Sequence, residues 1–288
     1  TAAVLLQDSA YINDRWILSG GLRGQYYKSE SGKGRNSSYF RNYSEGFKVL
    51  PQLGAIYLIN PRWSTYTNFA TSLKPNSSRG TDFDRQEIKP EEDRQFEVRT
   101  KYNNDLLSAN LALFHIKKKN IAYTSAVNGE TYTSIVGKNR SQGVEIDING
   151  KITPKTELSA NYTFTDTKIL QDQDDPSNVG KAFDSVPRHA AGLTLTYDFG
   201  KALGGQWRAG AGARYIGSWG FNYAGSWYKM PSATVYNAFV SYDTKLNGKP
   251  LNIRLTGKNL GNKTYYVSHT NATMQHLSIG APREIGLS

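Results

Sequence analysis

The chain has 288 residues, of which 38% are hydrophobic and 12% aromatic, with 19 Tyr, 27 Gly, no Cys and a formal net charge of +11. The lack of Cys excludes a disulfide framework and a thiolate metal site, and no run of about 18 apolar residues exists to form a membrane-spanning helix. A transmembrane β-barrel stays open, because its polar lumen face averages away the hydropathy of its lipid face. The first residues, TAAVLLQDSA, lack a basic stretch ahead of an apolar core. They are not expected to be a signal peptide, so either the protein is cytoplasmic or a leader has been removed.

Period-2 alternation bounded by turn residues predicts about thirteen strands and no helix. The strands fall near 2–12, 15–28, 46–59, 62–74, 94–103, 105–124, 131–152, 155–169, 188–200, 205–219, 232–245, 249–260 and 279–288. Alternation leaves the faces of 62–74 unassigned. It is clean over 144–164, where Val144, Ile146, Ile148, Ile152, Leu158, Ala160, Tyr162 and Phe164 oppose Glu145, Asp147, Asn149, Lys151, Ser159, Asn161 and Thr163. The same holds over 191–199, where Leu193, Leu195 and Tyr197 oppose Thr194, Thr196 and Asp198. It holds again over 251–258, where Leu251, Ile253 and Leu255 oppose Asn252, Arg254 and Thr256. One face of each strand is suited to hydrocarbon and the other to water or protein.

The connections alternate in length. Short turns fall at Asn13-Asp14, Asn60-Pro61, Asn103-Asn104, Thr153-Pro154-Lys155, 200–205 and Leu246-Asn247-Gly248. Long polar stretches fall between them, at 29–45, 75–93, 125–130, 170–187, 220–231 and 261–278. In an up-and-down meander successive connections lie at opposite ends of the sheet, so short turns share one end and long loops the other. Outer-membrane barrels show this asymmetry. Trp16, Trp63 and Trp207 begin strands just after short turns, and Trp219 and Trp227 flank a long loop. All five then sit near a rim, where an indole suits a lipid-water boundary. A soluble core could also hold them, but strands of about 10 to 15 residues exceed the usual globular length and match a membrane.

Four segments carry a family resemblance. Asn139-Arg140-Ser141-Gln142-Gly143-Val144-Glu145, Val186-Pro187-Arg188-His189, the run from Lys258 to Tyr266 (KNLGNKTYY) and Gly280-Ala281-Pro282-Arg283 occur in that order. Together they resemble the C-terminal barrel half of TonB-dependent siderophore receptors. The resemblance implies an all-β, antiparallel up-and-down transmembrane barrel of about 22 strands in the outer membrane of a Gram-negative cell. It also implies an N-terminal plug and import of a ferric siderophore with energy relayed by TonB. Expected partners are the siderophore, TonB through the plug region, and outer-membrane lipid and lipopolysaccharide. No enzymatic activity and no resident cofactor are implied. The chain departs from that pattern: no plug or TonB box stands before Thr1, the strand count is low, and Ser288 replaces the usual terminal aromatic. Residues 1–288 are therefore expected to form the later part of the barrel, without the plug and first strands. A passive porin, a structural barrel, a haem or cobalamin receptor and a barrel enzyme are the alternatives.

Much of the excess Lys and Arg lies on strands, as at Arg23, Lys151, Arg254 and Lys258, whereas loops 75–93 and 170–187 are acidic. A phosphate footprint wants a continuous basic surface, so nucleic acid is not expected as a partner. Ligand contact is expected from aromatic loops: Tyr39, Phe40, Arg41 and Tyr43 in YFRNY, and Trp219, Phe221, Tyr223, Trp227 and Tyr228 in WGFNYAGSWY. Tyr and Trp offer broad rigid area with a polar handle, and Arg41 can pair with an anionic chelate. The outer aromatic girdle is the competing role. His269 and His276 share the last loop and could contact haem or a metal, but without nearby acidic ligands no metal site is expected. Lys117-Lys118-Lys119 is expected to reach lipid phosphates at the membrane edge, and Glu91-Glu92-Asp93 is expected to be a solvated strand start. No catalytic motif is present.

Overall fold

The computed structural model describes residues 1–33, 40–76, 89–127, 130–172, 176–223, 226–269 and 277–288, with side chains inside 30–43, 122–136 and at 223 outside the description. The strands are β1 (Ala2–Ile12), β2 (Trp16–Lys33), β3 (Phe40–Asn60), β4 (Trp63–Lys74), β5 (Glu91–Asn103), β6 (Leu107–Val127), β7 (Glu130–Thr153), β8 (Thr156–Gln171), β9 (His189–Ala202), β10 (Gly205–Ile216), β11 (Trp219–Tyr223), β12 (Ser226–Met230), β13 (Ala233–Leu246), β14 (Lys249–Lys258), β15 (Tyr266–His269), β16 (Leu277–Ile279) and β17 (Glu284–Leu287). Thirteen of them form one sheet in the order β1 to β10, β13, β14, β17, each next to its neighbour in chain order. These match the thirteen segments marked by alternation.

Two differences concern the loops. The stretches expected as loops at 29–45 and 125–130 are largely strand, because β2, β3, β6 and β7 run on past the alternating core. The stretches at 220–231 and 261–278 each contain a hairpin, β11–β12 and β15–β16, which form separate two-stranded sheets. Among the described residues no α-helix occurs.

Turn chemistry sets the register. Asn13 and Asp14 both take φ 52°, and Asn247 and Gly248 take 52° and 77°. Two successive positive φ values make a type I′ turn, whose twist matches that of the flanking strands. At the next turns the side chain substitutes for backbone: Asn60 Oδ1 accepts from the amides of Arg62 and Trp63 at 2.9 Å, and Asn104 Oδ1 accepts from Leu106 and Leu107 at 2.9 and 2.6 Å. Such Asx turns give a tight reversal without glycine.

The chain forms two compact units, one of Thr1–Arg99, Leu113–Gln142 and Asp166–Ala182, the other of Thr100–Ala112, Gly143–Thr165 and Phe183–Ser288. In the second unit, register places Leu158 opposite Leu195, Leu195 opposite Ala211, Ala211 opposite Ala238, and Val240 opposite Leu255. This row is apolar. The other face carries Ser159, Thr194, Gly212 and Asn237 in one cross-strand row, and Asp198, Arg208, Ser241 and Arg254 in another. The apolar face stays bare, with Leu195 42%, Phe199 61% and Leu255 50% exposed. Hydrocarbon removes the cost of such a surface, whereas water would not. Aromatic side chains bracket it: Trp207 packs on Tyr242 at 4.7 Å near the short turns, and Tyr215 and Tyr236 stand toward the other end of β10 and β13. Eight residues separate Trp207 from Tyr215, about 26 Å of strand, close to the height of an outer-membrane apolar band.

In the first unit, register assigns the faces of β4. Thr65, Thr67 and Phe69 lie with Tyr57, Ala55 and Leu53 on the apolar side, and Tyr66 and Asn68 lie with Ile56 and Gly54 on the other. Trp16 packs on Tyr57 at 4.6 Å beside the short turns. On the polar side Tyr66 donates to Glu97 at 3.1 Å, and Arg99 pairs with Glu97 at 3.1 Å. Lys118 pairs with Glu91 at 2.9 Å and Asp93 at 3.5 Å, and Lys119 and Lys48 share Glu92 at 2.8 and 3.0 Å. Two lysines of the basic run are thus held by the acidic strand start, rather than each solvating alone.

Leu195 sits midway between the aromatic brackets, because it pairs with Ala211. Leu195→Arg is expected to destabilise the folded protein in lipid vesicles by about 2–4 kcal/mol, whereas Thr194→Arg on the other face costs less than about 1 kcal/mol. Unfolding titrations of the two variants test this, and equal losses would contradict the facing assignment.

Candidate ligand-binding end of the second unit

Ile216 shares the parity of Arg214 and Gly212, so the end of β10 turns an apolar side chain to the polar face of the sheet. There it nucleates the unit's buried cluster: Ile216, Trp219 and Phe221 are buried, with Met230, Tyr265, Tyr266 and Leu277 packed against them. The two loop hairpins are therefore folded onto that face and onto each other. The Trp219 indole N–H donates to Tyr266 O at 3.3 Å, and Phe221 stacks on His269 with centroids 4.1 Å apart and planes 8° apart. Ser185, at φ 62°, joins both hairpins, since its amide donates to Gly220 O at 2.9 Å and its Oγ accepts from the His269 amide at 2.8 Å. Asp184 Oδ1 accepts from the Asn222 amide at 3.1 Å. Gly220 is required by close approach, because a Cβ there would lie 2.5 Å from the Trp227 ring.

Beneath this cluster lies a concavity of about 470 Å³, within the size range of small-molecule sites. Trp219, Ile216 and Val267 supply apolar lining, and Asn161, Arg214 and Asn237 supply polar groups. Arg214 is exposed and has no carboxylate within ion-pair distance among the described residues. Asn237 Oδ1 accepts from the Asn259 amide at 2.9 Å, which orients the carboxamide and leaves its NH2 group as a donor. A guanidinium beside amide donors and aromatic walls suits an oxygen-rich anion with apolar parts.

Asn259 is the staple of this end. It is 3% exposed at φ 46°, donates through Nδ2 to Lys263 O at 2.9 Å and Ala281 O at 3.0 Å, and accepts at Oδ1 from the Lys263 amide at 2.8 Å. Asn262 Oδ1 in turn accepts from the Arg283 amide at 3.0 Å. The motifs KNLGNK and GAPR are thus one hydrogen-bonded unit. Asn139-Arg140-Ser141-Gln142 is likewise tied down, with Arg140 on Asp166 at 2.7 Å and Gln142 on His115 at 3.2 Å. Asn259→Ala is expected to cost about 3 kcal/mol, from three buried hydrogen bonds at about 1 kcal/mol each. Asn259→Gly, which relieves the positive φ, recovers about 1 kcal/mol of that. Heat-dependent electrophoretic mobility measures both.

The residues expected from sequence to contact ligand have different settings where they are described. Trp219 and Phe221 are buried at 4% and 5% exposure and form the scaffold of the hairpins. Trp227 and Tyr228 are exposed, and Tyr228 lies opposite Phe221 with its ring 5.6 Å away. Tyr39 lies outside the described residues, as do the side chains of Phe40, Arg41, Tyr43 and Tyr223. Phe40, Arg41 and Tyr43 fall on the β3 backbone. His276 is outside the description, and His269 is engaged with Phe221. Among the described residues no group of metal-ligating side chains occurs. Arg214, Asn161 and Asn237 are not marked out by the sequence, because on a strand each reads as an ordinary polar-face residue.

A meander of long antiparallel strands with one bare apolar face, aromatic brackets and a polar opposite face defines an outer-membrane β-barrel protein. Residues 1–260 match the family described as TonB dependent receptor-like, beta-barrel. The whole chain is 39% identical to an uncharacterized TonB-dependent receptor of Haemophilus influenzae, covering 85% of it. Over 99% of its length it is 27% identical to the metal-pseudopaline receptor CntO of Pseudomonas aeruginosa, covering 40% of that protein. The crystal structure of BauA, the ferric preacinetobactin receptor of Acinetobacter baumannii, superposes with a TM-score of 0.82 at 21% identity. That match covers 99% of this chain and 42% of BauA, and shows a common fold. The chain belongs to the TonB-dependent receptor β-barrel family, whose members are outer-membrane receptors rather than enzymes. It spans most of the first relative and about two fifths of the others.

Proposed function

We propose that the chain is part of the wall and outer loops of an energised importer, whose cargo is an anionic metal chelate of the ferric siderophore class. The observation that carries this is Arg214, a cation with no carboxylate at ion-pair distance among the described residues, grouped with Asn161 and Asn237 under packed loop aromatics. Siderophores enclose iron in anionic oxygens, and a guanidinium fork matches such oxygens in geometry and charge. The names of the relatives support the cargo class: CntO is a metal-pseudopaline receptor and BauA a ferric preacinetobactin receptor. In this reading Trp227 and Tyr228, with Tyr39, Phe40, Arg41, Tyr43 and Tyr223, make the outer contacts, while Trp219 and Phe221 hold the hairpins in place. TonB acts through a plug region belonging to the whole receptor, and lipid and lipopolysaccharide meet the apolar face.

Binding of ferric siderophores to the purified full receptor, followed by tryptophan quenching, tests the assignment. Arg214→Gln is expected to weaken binding about tenfold, about 1.4 kcal/mol, as for loss of one charge-assisted hydrogen bond. Trp227→Ala weakens it by a smaller factor. Uptake of radiolabelled iron chelate stops in cells lacking TonB. Undiminished affinity in Arg214→Gln would remove the anchor, and TonB-independent uptake would make the protein a passive pore.

A further inference from the structure

The second unit holds another concavity, of about 440 Å³, on the polar face at the short-turn end. Arg208 and Arg214 stand six residues apart on β10, so this site lies about 20 Å of strand from the one beneath the hairpins. Lys151 of β7, Lys155 of the β7–β8 turn, Arg208 of β10 and Arg254 of β14 all line it, against the acids Glu157 and Asp198. Asp198 is already engaged: it accepts from the Gly200 amide at 2.8 Å and from the Gln206 side chain, and stands 4.0 Å from Arg208. Among the described residues Lys151, Lys155 and Arg254 have no carboxylate within ion-pair distance.

Arg254 is held in a defined pose. Its guanidinium lies 3.7 Å from the centroid of the Phe239 ring, one diagonal step across the β13–β14 ladder. That ring lies close over Gly210, where a Cβ would sit 2.4 Å from Cε1. Stacking uses the face of the guanidinium and leaves its N–H edges available. Two ammonium groups, four residues apart at Lys151 and Lys155, and one oriented guanidinium from far along the chain line the same concavity. Their mutual repulsion is relieved by an anion bound among them.

We propose that this turn-end concavity binds a small oxyanion carrying two or more negative charges, the charge type of an anionic chelate that has left the outer site. Arg254 would give the directional contact, and Lys151 and Lys155 the neutralising charge. The assignment stands on this cluster alone and does not depend on which cargo the outer loops accept.

Amine-acylation footprinting of the purified full receptor at low ionic strength, read by mass spectrometry with citrate as the probe, tests it. Citrate is expected to slow labelling of Lys151 and Lys155 about twofold at half occupancy and to leave Lys249 unchanged. Sodium chloride at matched ionic strength has no such selective effect. Arg254→Gln abolishes the protection, and Arg254→Lys, which keeps the charge without the planar fork, restores part of it. Heat-dependent mobility checks that both variants are folded. Equal slowing at Lys249 would reduce the effect to screening and overturn the proposal. So would lysines at 151 and 155 that resist labelling without citrate, since a protein segment would then already occupy the site. Because the readout needs no siderophore, its failure leaves the import proposal standing.

Discussion

The structure depends on the fact that hydrocarbon offers no hydrogen-bond partner to a peptide group. Each backbone donor and acceptor inside the apolar band must therefore be satisfied by a neighbouring strand, which is why thirteen strands run as one meander with each strand beside its neighbour in sequence. Side chains then have two destinations only, because the strand period is two. On β10 the consequence is compact: Trp207, Ala209, Ala211, Ala213 and Tyr215 face one way, and Arg208, Gly210, Gly212 and Arg214 the other. Aromatics at both ends of the apolar row place amphipathic rings where the medium changes from hydrocarbon to water.

Banishing charge from one face concentrates it on the other, and the two units handle that charge differently. In the first, cations are closely matched: Lys118, Lys119 and Lys48 meet Glu91, Glu92 and Asp93, and Arg99 meets Glu97. Such networks hold strand ends together but leave little field for a ligand. In the second, Arg214, Arg254, Lys151 and Lys155 are not matched by acids at ion-pair distance among the described residues. Unmatched cations on a concave wall raise the local potential for an anion.

The outer hairpins show how an aromatic loop becomes architecture. Ile216 continues the polar-face parity of β10 with an apolar residue, and that one change gives Trp219 and Phe221 something to pack against. Once buried they stop being free ligand platforms and become supports, leaving Trp227 and Tyr228 exposed. Asn259 plays the corresponding part for the last strands, satisfying Lys263 and Ala281 carbonyls that lie outside any ladder. The motifs KNLGNK and GAPR, which carry part of the family resemblance, are thus fold-holding devices.

What the sequence determined by itself is what local periodicity encodes. The strands, the facing of Leu195 against Thr194, the clustering of Asn turns at one end and the rim position of Trp207 all follow from residues within a few positions of each other. Tertiary structure alone decided which polar-face residues share a concavity. Arg214, Asn161 and Asn237 come from three strands, and Lys151 and Arg254 are brought together across four. It also decided that the stretches at 220–231 and 261–278 form hairpins, since each is stabilised by contacts with the other and with Ser185 rather than by its own pattern. Alternation reports only the face on which a side chain stands. Its neighbours on that face depend on register and on the return of distant loops, which no short window of sequence contains.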